Sequence, residues 1–303
     1  DNQGLEGLEY YHDSFLKGSP GKLILEGDPR GVRLVSGKKV TYPPDDGGNI
    51  QTTIDEYIQY SAQKHLKHGV ELNDALAGEV IVMDPNTGEI LAMASYPTYD
   101  PNFLPKFNEA PRRNRGITDM FEPGSVFKII TIAAILEEDI YEPDSIISVP
   151  ESIVVKSHRV KESHDRDDEE TDEKTLTDIL SKSLNVGTTL LAMELGEERF
   201  YKYIRSFGFG KRTGIQLPGE SPGLLRPPQQ WSGVDISMFS FGQGLAVTPL
   251  QMARAVSVIA NGGELLTPHI IKSKKYHDDR SYKTTSKSSL GQIVSKDTTQ
   301  KLT

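Results

Sequence analysis

Ser125 and Lys128 stand three residues apart, just after the turn-forming Pro123-Gly124 and at the head of an apolar run from Phe127 to Leu136. Residues three apart on a helix share a face, with Cβ atoms about 5–6 Å apart, so the lysine amine can reach the serine hydroxyl. Ser125 is then a candidate nucleophile that carries its own base. A helix apolar on nearly every face is a buried helix. In its first turn the free N–H groups and the helix dipole favour a developing negative charge, and burial pushes a lysine down towards a usable base. The same residues also admit a plainer reading, in which Ser125 caps the helix and Lys128 snorkels to solvent. The spacing alone is common enough to favour it.

A second candidate pair, Ser183 and Asn185, lies about sixty residues further on. The sequence places it at a junction between two helices, where a hydroxyl and an amide two residues apart can point into one cleft. Taken alone, these two also read best as helix-end caps. Together the four residues supply what a serine acyltransferase without histidine needs: a nucleophile, a lysine base, a hydroxyl to relay the proton and an amide to hold the substrate.

The elements that must position these residues are partly legible. Thr53-Ile54-Asp55-Glu56, Thr175-Leu176-Thr177-Asp178 and Thr248-Pro249-Leu250-Gln251 fit capping boxes. The first predicts a helix to about Leu66, and the third a helix to Ala260 closed by Asn261-Gly262-Gly263. Further helices are expected from about Val186 to Leu195, stopped by Gly196, and from Glu197 to Phe207. Glu79–Met83 and Glu89–Ala94 read as a hairpin around Asp84-Pro85-Asn86-Thr87-Gly88, with both faces largely buried and the Ser125 helix as its cover. His65 and His68 fall one helical turn apart near a helix end, where a surface role is favoured over metal ligation. The charged run from Lys161 to Glu170 has no ordered ligand spacing and reads as a solvated loop. Trp231 is the candidate anchor of a turn-rich passage from Pro218 to Pro228.

With 303 residues the chain can bury a sizeable core. Its 34 Lys and Arg against 43 Asp and Glu give a net charge of −9, with no basic block, which argues against nucleic-acid binding. Cysteine is absent, and with it thiol nucleophiles, disulfides and thiolate metal sites. No stretch reaches 18 consecutive apolar residues, and Asp1-Asn2-Gln3-Gly4 does not read as a signal peptide.

The sequence closely resembles the class B penicillin-binding proteins, the monofunctional D,D-transpeptidases of bacterial cell-wall synthesis. Beyond Ser125-x-x-Lys128 and Ser183-x-Asn185, the resemblance covers Gly4 to Tyr11, Met83 to Ala94, Glu122-Pro123-Gly124-Ser125, Phe207-Gly208-Phe209-Gly210 with Thr213-Gly214, and Gly242-Gln243-Gly244 through Gln251. It implies an α+β fold of the penicillin-binding and serine β-lactamase-like transpeptidase type, an antiparallel sheet with a helical subdomain. It also implies that Ser125 is acylated, Lys128 is its base, Ser183 passes a proton towards the leaving group and Asn185 hydrogen-bonds the substrate's peptide carbonyl. No cofactor or metal is implied. The implied substrate is a peptidoglycan stem peptide ending in D-Ala-D-Ala, which β-lactams mimic, and the implied partner is a membrane glycosyltransferase.

The family's third element, Lys-Thr/Ser-Gly on a strand, does not occur; Lys211-Arg212-Thr213-Gly214 has an extra arginine and falls too early. The expectation is therefore an incomplete sheet. Residues 1–45 would be a remnant of an N-terminal pedestal or linker, and 46–303 a transpeptidase domain lacking its C-terminal strands. The parent protein would continue past Thr303 and be held on the outer side of the inner membrane by a segment before Asp1. These 303 residues by themselves would then acylate weakly. A non-catalytic cell-wall scaffolding module and a β-lactam-sensing or β-lactamase-like domain stand as alternatives, and division, elongation and sporulation roles stay open.

Overall fold

The computed structural model describes residues 3–32, 34–100, 113–164, 171–276 and 282–303. They form two compact units, one of residues 3–32, 34–53, 216–218, 270–276 and 282–286, the other of residues 54–100, 113–164, 171–215, 219–269 and 287–303. In chain order the elements begin with α1 (Gly7–Tyr11), α2 (Asp13–Leu16), β1 (Lys22–Leu25), β2 (Lys39–Tyr42), β3 (Asn49–Thr52), α3 (Glu56–Leu72), β4 (Gly78–Met83), β5 (Ile90–Tyr96) and α4 (Arg115–Thr118). A 3-10 turn, Gly124–Phe127, opens into α5 (Lys128–Glu137), and β6 (Ile146–Ser148), β7 (Ser152–Val155), β8 (His158–Lys161) and β9 (Glu173–Thr175) follow. Then come α6 (Leu176–Ser181), α7 (Asn185–Leu195), α8 (Glu197–Ser206), α9 (Asp235–Ser240), α10 (Pro249–Ala260), β10 (Glu264–Leu266), β11 (Ile271–Lys275), β12 (Tyr282–Thr284), β13 (Ser289–Gln292) and α11 (Lys296–Leu302).

In the first unit β1 and β2 form an antiparallel hairpin, and β12-β11-β3 form a three-stranded sheet. This unit runs past residue 45 to Thr53, whose N–H donates to the Ile270 carbonyl at 2.9 Å. The polar segment after Ile270 supplies two of its strands, β11 and β12.

The second unit is built on α5. Its residues Ile130 to Leu136 are all buried, as the apolar run requires, and α5 packs against α6, α7, α8 and α11. β4 and β5 pair antiparallel from Gly78 opposite Tyr96 to Met83 opposite Ile90, with Asp84 Oδ1 accepting from the Asn86 N–H at 2.7 Å to shape the turn. The hairpin departs from expectation in two ways. β5 alternates, burying Ile90, Ala92 and Ala94 while β4 is half-buried throughout. Its cover is α3 and α10 together with α4, because α5 is already enclosed by other helices.

α3 also corrects the sequence reading. Its N-cap is Asp55, whose carboxylate accepts from the Ile58 N–H at 2.9 Å, two residues beyond the expected Thr53. It continues to Leu72 and ends where the Asn73 side chain donates to the Gly69 carbonyl at 2.8 Å. The other two capping boxes form as read, Thr175 with Asp178 and Thr248 with Gln251. Trp231 donates to the Arg226 carbonyl at 2.8 Å and stacks edge-on against Phe239, which ties down the turn-rich passage before α9.

Candidate active site

The turn before Ser125 is closed by a segment far along the chain. Phe121 and Val247 exchange backbone hydrogen bonds of 3.0 and 2.9 Å, and the Gly124 N–H donates to the Gly242 carbonyl at 2.9 Å. The Glu122 carboxylate accepts from the Gly244 N–H at 2.9 Å. Gly242 has φ +80° and lies so close that a Cβ there would fall 2.2 Å from the Gly124 carbonyl oxygen, a position only glycine can hold. Ser125 itself is exposed. Lying at the start of the 3-10 turn, its N–H is among the donors that intrahelical bonding leaves over.

Lys128, one turn further, is the opposite: only 1% of it is exposed. Its amine donates to the Ser183 carbonyl at 2.5 Å, to Ser183 Oγ at 3.0 Å and to Asn185 Oδ1 at 2.7 Å. Lys128 of the first pair is thus tied to both members of the second, and it does not snorkel. Burial pushes its amine down to about 8, while the Glu162 carboxylate pulls the other way. All three donations go to the second pair, and no hydrogen bond joins Lys128 to the Ser125 hydroxyl. When the amine is neutral it has two N–H donors, enough for the Ser183 carbonyl and Asn185 Oδ1, and its lone pair is left for a hydroxyl.

The Ser183 carbonyl and hydroxyl reach Lys128 through an unusual backbone. Ser183 has φ +57°, the left-handed region that favours glycine. It ends α6: the Ser183 N–H donates to the Leu180 carbonyl at 3.1 Å and the Leu184 N–H to the Ile179 carbonyl at 2.9 Å, the paired bonds of a Schellman motif. A serine therefore occupies the place where a helix of this kind ordinarily puts glycine. That strain sits at the residue facing the lysine, as strain at functional positions often does.

Asn185 opens α7 and is held on both sides. Its Nδ2 donates to the Lys161 carbonyl at 3.2 Å, and its backbone N–H to Glu162 Oε2 at 2.5 Å. Glu162 Oε1 accepts from the Val186 N–H at 3.0 Å. This overturns the reading of the charged run as uniformly solvated, because Lys161 and Glu162 at the end of β8 clamp the start of α7; residues 165–170 lie outside the described residues. Nothing in the local sequence marks Glu162 among its charged neighbours. The Gly242–Val247 segment stands out in the sequence only through the family resemblance, which attaches no role to it.

The other candidates fall elsewhere. His65 and His68 are exposed on α3. In Lys211-Arg212-Thr213-Gly214, the backbone and hydroxyl of Thr213 donate to Glu220 Oε1 at 2.6 and 2.5 Å, and the Gly214 N–H to Oε2 at 3.2 Å. The guanidinium of the buried Arg254 meets the Gly208 carbonyl at 3.0 Å. That cluster fastens the Phe207–Gly210 turn to α10 and contains none of the four site residues. Among the described residues β4 and β5 form a sheet of two strands only.

Residues 78–303 match the model of the penicillin binding protein transpeptidase domain. The chain is 39% identical over 274 residues to the penicillin-binding protein PbpB of Mycolicibacterium smegmatis, covering 90% of this chain and 42% of PbpB. It is 38% identical over 264 residues to the peptidoglycan D,D-transpeptidase FtsI of Escherichia coli, covering 87% of this chain and 43% of FtsI. The crystal structure of penicillin binding protein 3 from Mycobacterium tuberculosis complexed with aztreonam superposes with a TM-score of 0.84 at 33% identity, covering 99% of this chain and 62% of that one. The chain belongs to the transpeptidase-domain family of the class B penicillin-binding proteins and has its mixed α and β fold. It spans less than half the length of these two curated relatives.

Proposed function

We propose that this chain carries the acyl-transfer site of a peptidoglycan D,D-transpeptidase. The observation that carries the reading is the buried Lys128 amine, one helical turn from an exposed serine and hydrogen-bonded to both Ser183 and Asn185. Neutral Lys128 takes the Ser125 proton as Oγ attacks the carbonyl of the penultimate D-Ala of a stem peptide. The resulting oxyanion needs fixed donors, and the Ser125 N–H is one of them. Collapse of the tetrahedral intermediate breaks the peptide bond to the terminal D-Ala, whose amine leaves with a proton relayed from the Lys128 ammonium through Ser183 Oγ. An amine from a neighbouring strand then attacks the Ser125 ester and restores the serine. Asn185 Nδ2 holds the substrate's peptide carbonyl, exchanging its bond to the Lys161 carbonyl for one to the substrate. A β-lactam enters the same sequence and stops at the acyl-enzyme, and a membrane glycosyltransferase partner would supply the strands to be joined at the outer face of the inner membrane.

The experiment is covalent labelling of the full-length protein with fluorescent penicillin. The expected outcome is a stable labelled band that Ser125→Ala abolishes and Lys128→Ala reduces by at least about a hundredfold in rate. Labelling that survives Ser125→Ala overturns the reading, and a label that turns over rapidly moves the protein to the β-lactamase-like class.

A further inference from the structure

α7 begins without a cap of its own. Its N-cap residue is Leu184, which has no side chain to accept a hydrogen bond, yet the helix must present Asn185 from its first turn. The missing acceptor arrives from the end of β8, more than twenty residues upstream. Glu162 spans two successive N–H groups, Asn185 on Oε2 and Val186 on Oε1. A carboxylate there satisfies two donors that a helix start leaves over and meets the positive end of the dipole. The neighbouring Lys161 carbonyl takes the Asn185 side-chain amide at 3.2 Å, which turns Asn185 Oδ1 towards Lys128.

We propose that Glu162 is a positioning residue of the active site, which anchors the start of α7 so that Ser183 and Asn185 keep their grip on Lys128, and which supplies the negative charge that balances the ammonium formed when Lys128 accepts the Ser125 proton. This rests on the transpeptidase reading above. Asp178 and Lys182 at the α6 end, Arg159 and Lys161 on β8, and Glu194 at the far end of α7 also stand on elements packed around the site, but Glu162 is the carboxylate held on the Asn185 N–H, whose side chain bonds Lys128, and it opposes the effect of burial on the amine. A carboxylate so placed has two opposed effects. It favours the ammonium, and so stabilises the charge-separated state reached during attack. It also holds the amine protonated to a higher pH than burial alone would, so fewer enzyme molecules carry the free base on the acid side.

The two effects separate experimentally. The rate of acylation by fluorescent penicillin would be measured against pH for the full-length protein, Glu162→Gln and Glu162→Asp. Wild-type protein is expected to gain activity as pH rises through about 8, as Lys128 loses its proton. Glu162→Gln keeps the length but removes the charge and presents an amide donor to one of the two N–H groups. Its acid limb should move to lower pH by about half a unit or more, with the plateau lowered about tenfold. Glu162→Asp keeps the charge on a shorter stem, so its midpoint should stay nearer to wild type while its plateau falls. A purely structural part would lower the plateau of both variants and leave both midpoints unmoved, and that result overturns the proposal. Unchanged plateaus in both variants overturn it equally. If Ser125→Ala still labels, the transpeptidase reading itself has failed; if labelling depends on Ser125 and the midpoint of Glu162→Gln does not move, only the role of Glu162 has.

Discussion

Ser183 is asked to do two things that conflict: end α6 in a left-handed conformation, at φ +57°, and offer both a carbonyl and a hydroxyl to Lys128. Glycine would meet the first demand at no steric cost and fail the second. The conflict has a measurable size. Ser183→Ala and Ser183→Gly both delete the hydroxyl, so they differ in backbone preference and not in that lost contact. Ser183→Gly should be the more stable of the two by about 1 kcal/mol, read as a higher denaturant midpoint. Both should lose acylation. If alanine proves equal to glycine, the left-handed strain is not there. The sequence could present Ser183 and Asn185 as a pair but not this strain, because a serine at the end of a helix looks like an ordinary cap until its backbone angle is known.

At the scale of elements, the sequence was readable where a signal is complete within a few residues. The capping boxes at Thr175 and Thr248, the proline at the first position of α10 and the Gly196 stop after α7 are all local, and each lies where it was read. The signals that failed are those completed from a distance. α7 takes its cap from β8, and the β4–β5 hairpin takes its cover from α3 and α10 rather than from α5. The same hairpin carries a pH-dependent cost. Glu79 on β4 lies opposite Ser95 on β5, whose hydroxyl donates to it at 2.8 Å. Burial pushes its carboxyl up to about 7, against the opposing pull of Ser95 and Arg115. Since the ordinary value is 4.5, the folded state holds the proton more tightly, and stability falls as pH rises from about 4.5 to about 7. Glu79→Gln should therefore raise the melting temperature at pH 8 and change it little at pH 4. Equal shifts at both values would exclude this role for Glu79.

For the molecule as a whole, the candidate site is assembled across long stretches of chain. Ser125 and Lys128 come from one stretch, Ser183 and Asn185 from another, and the turn that presents Ser125 is closed by residues 242–247. Sequence reasoning singles out candidate residues in the first two and offers no reason to look at the third, since no charged or nucleophilic side chain marks it. Gly242→Ala tests that dependence. With φ at +80° and the Gly124 carbonyl 2.2 Å from the new Cβ, the turn before Ser125 has to move. We expect a loss of stability of about 2 kcal/mol or more, together with slower acylation of the protein that remains folded. Acylation at the wild-type rate would mean that the turn does not need its partner segment.

The strap from Glu122 to the Gly244 N–H, 122 residues downstream, also sets an order of events during synthesis. When the ribosome has completed α5, the serine and lysine are both present and one helical turn apart, but the turn that aims the serine has nothing to close it. It closes only after Val247 has been made and has paired with Phe121. Until then the nascent chain carries the proposed nucleophile in an unclosed turn, and a polypeptide released before that point would hold both residues and lack the contacts that present Ser125.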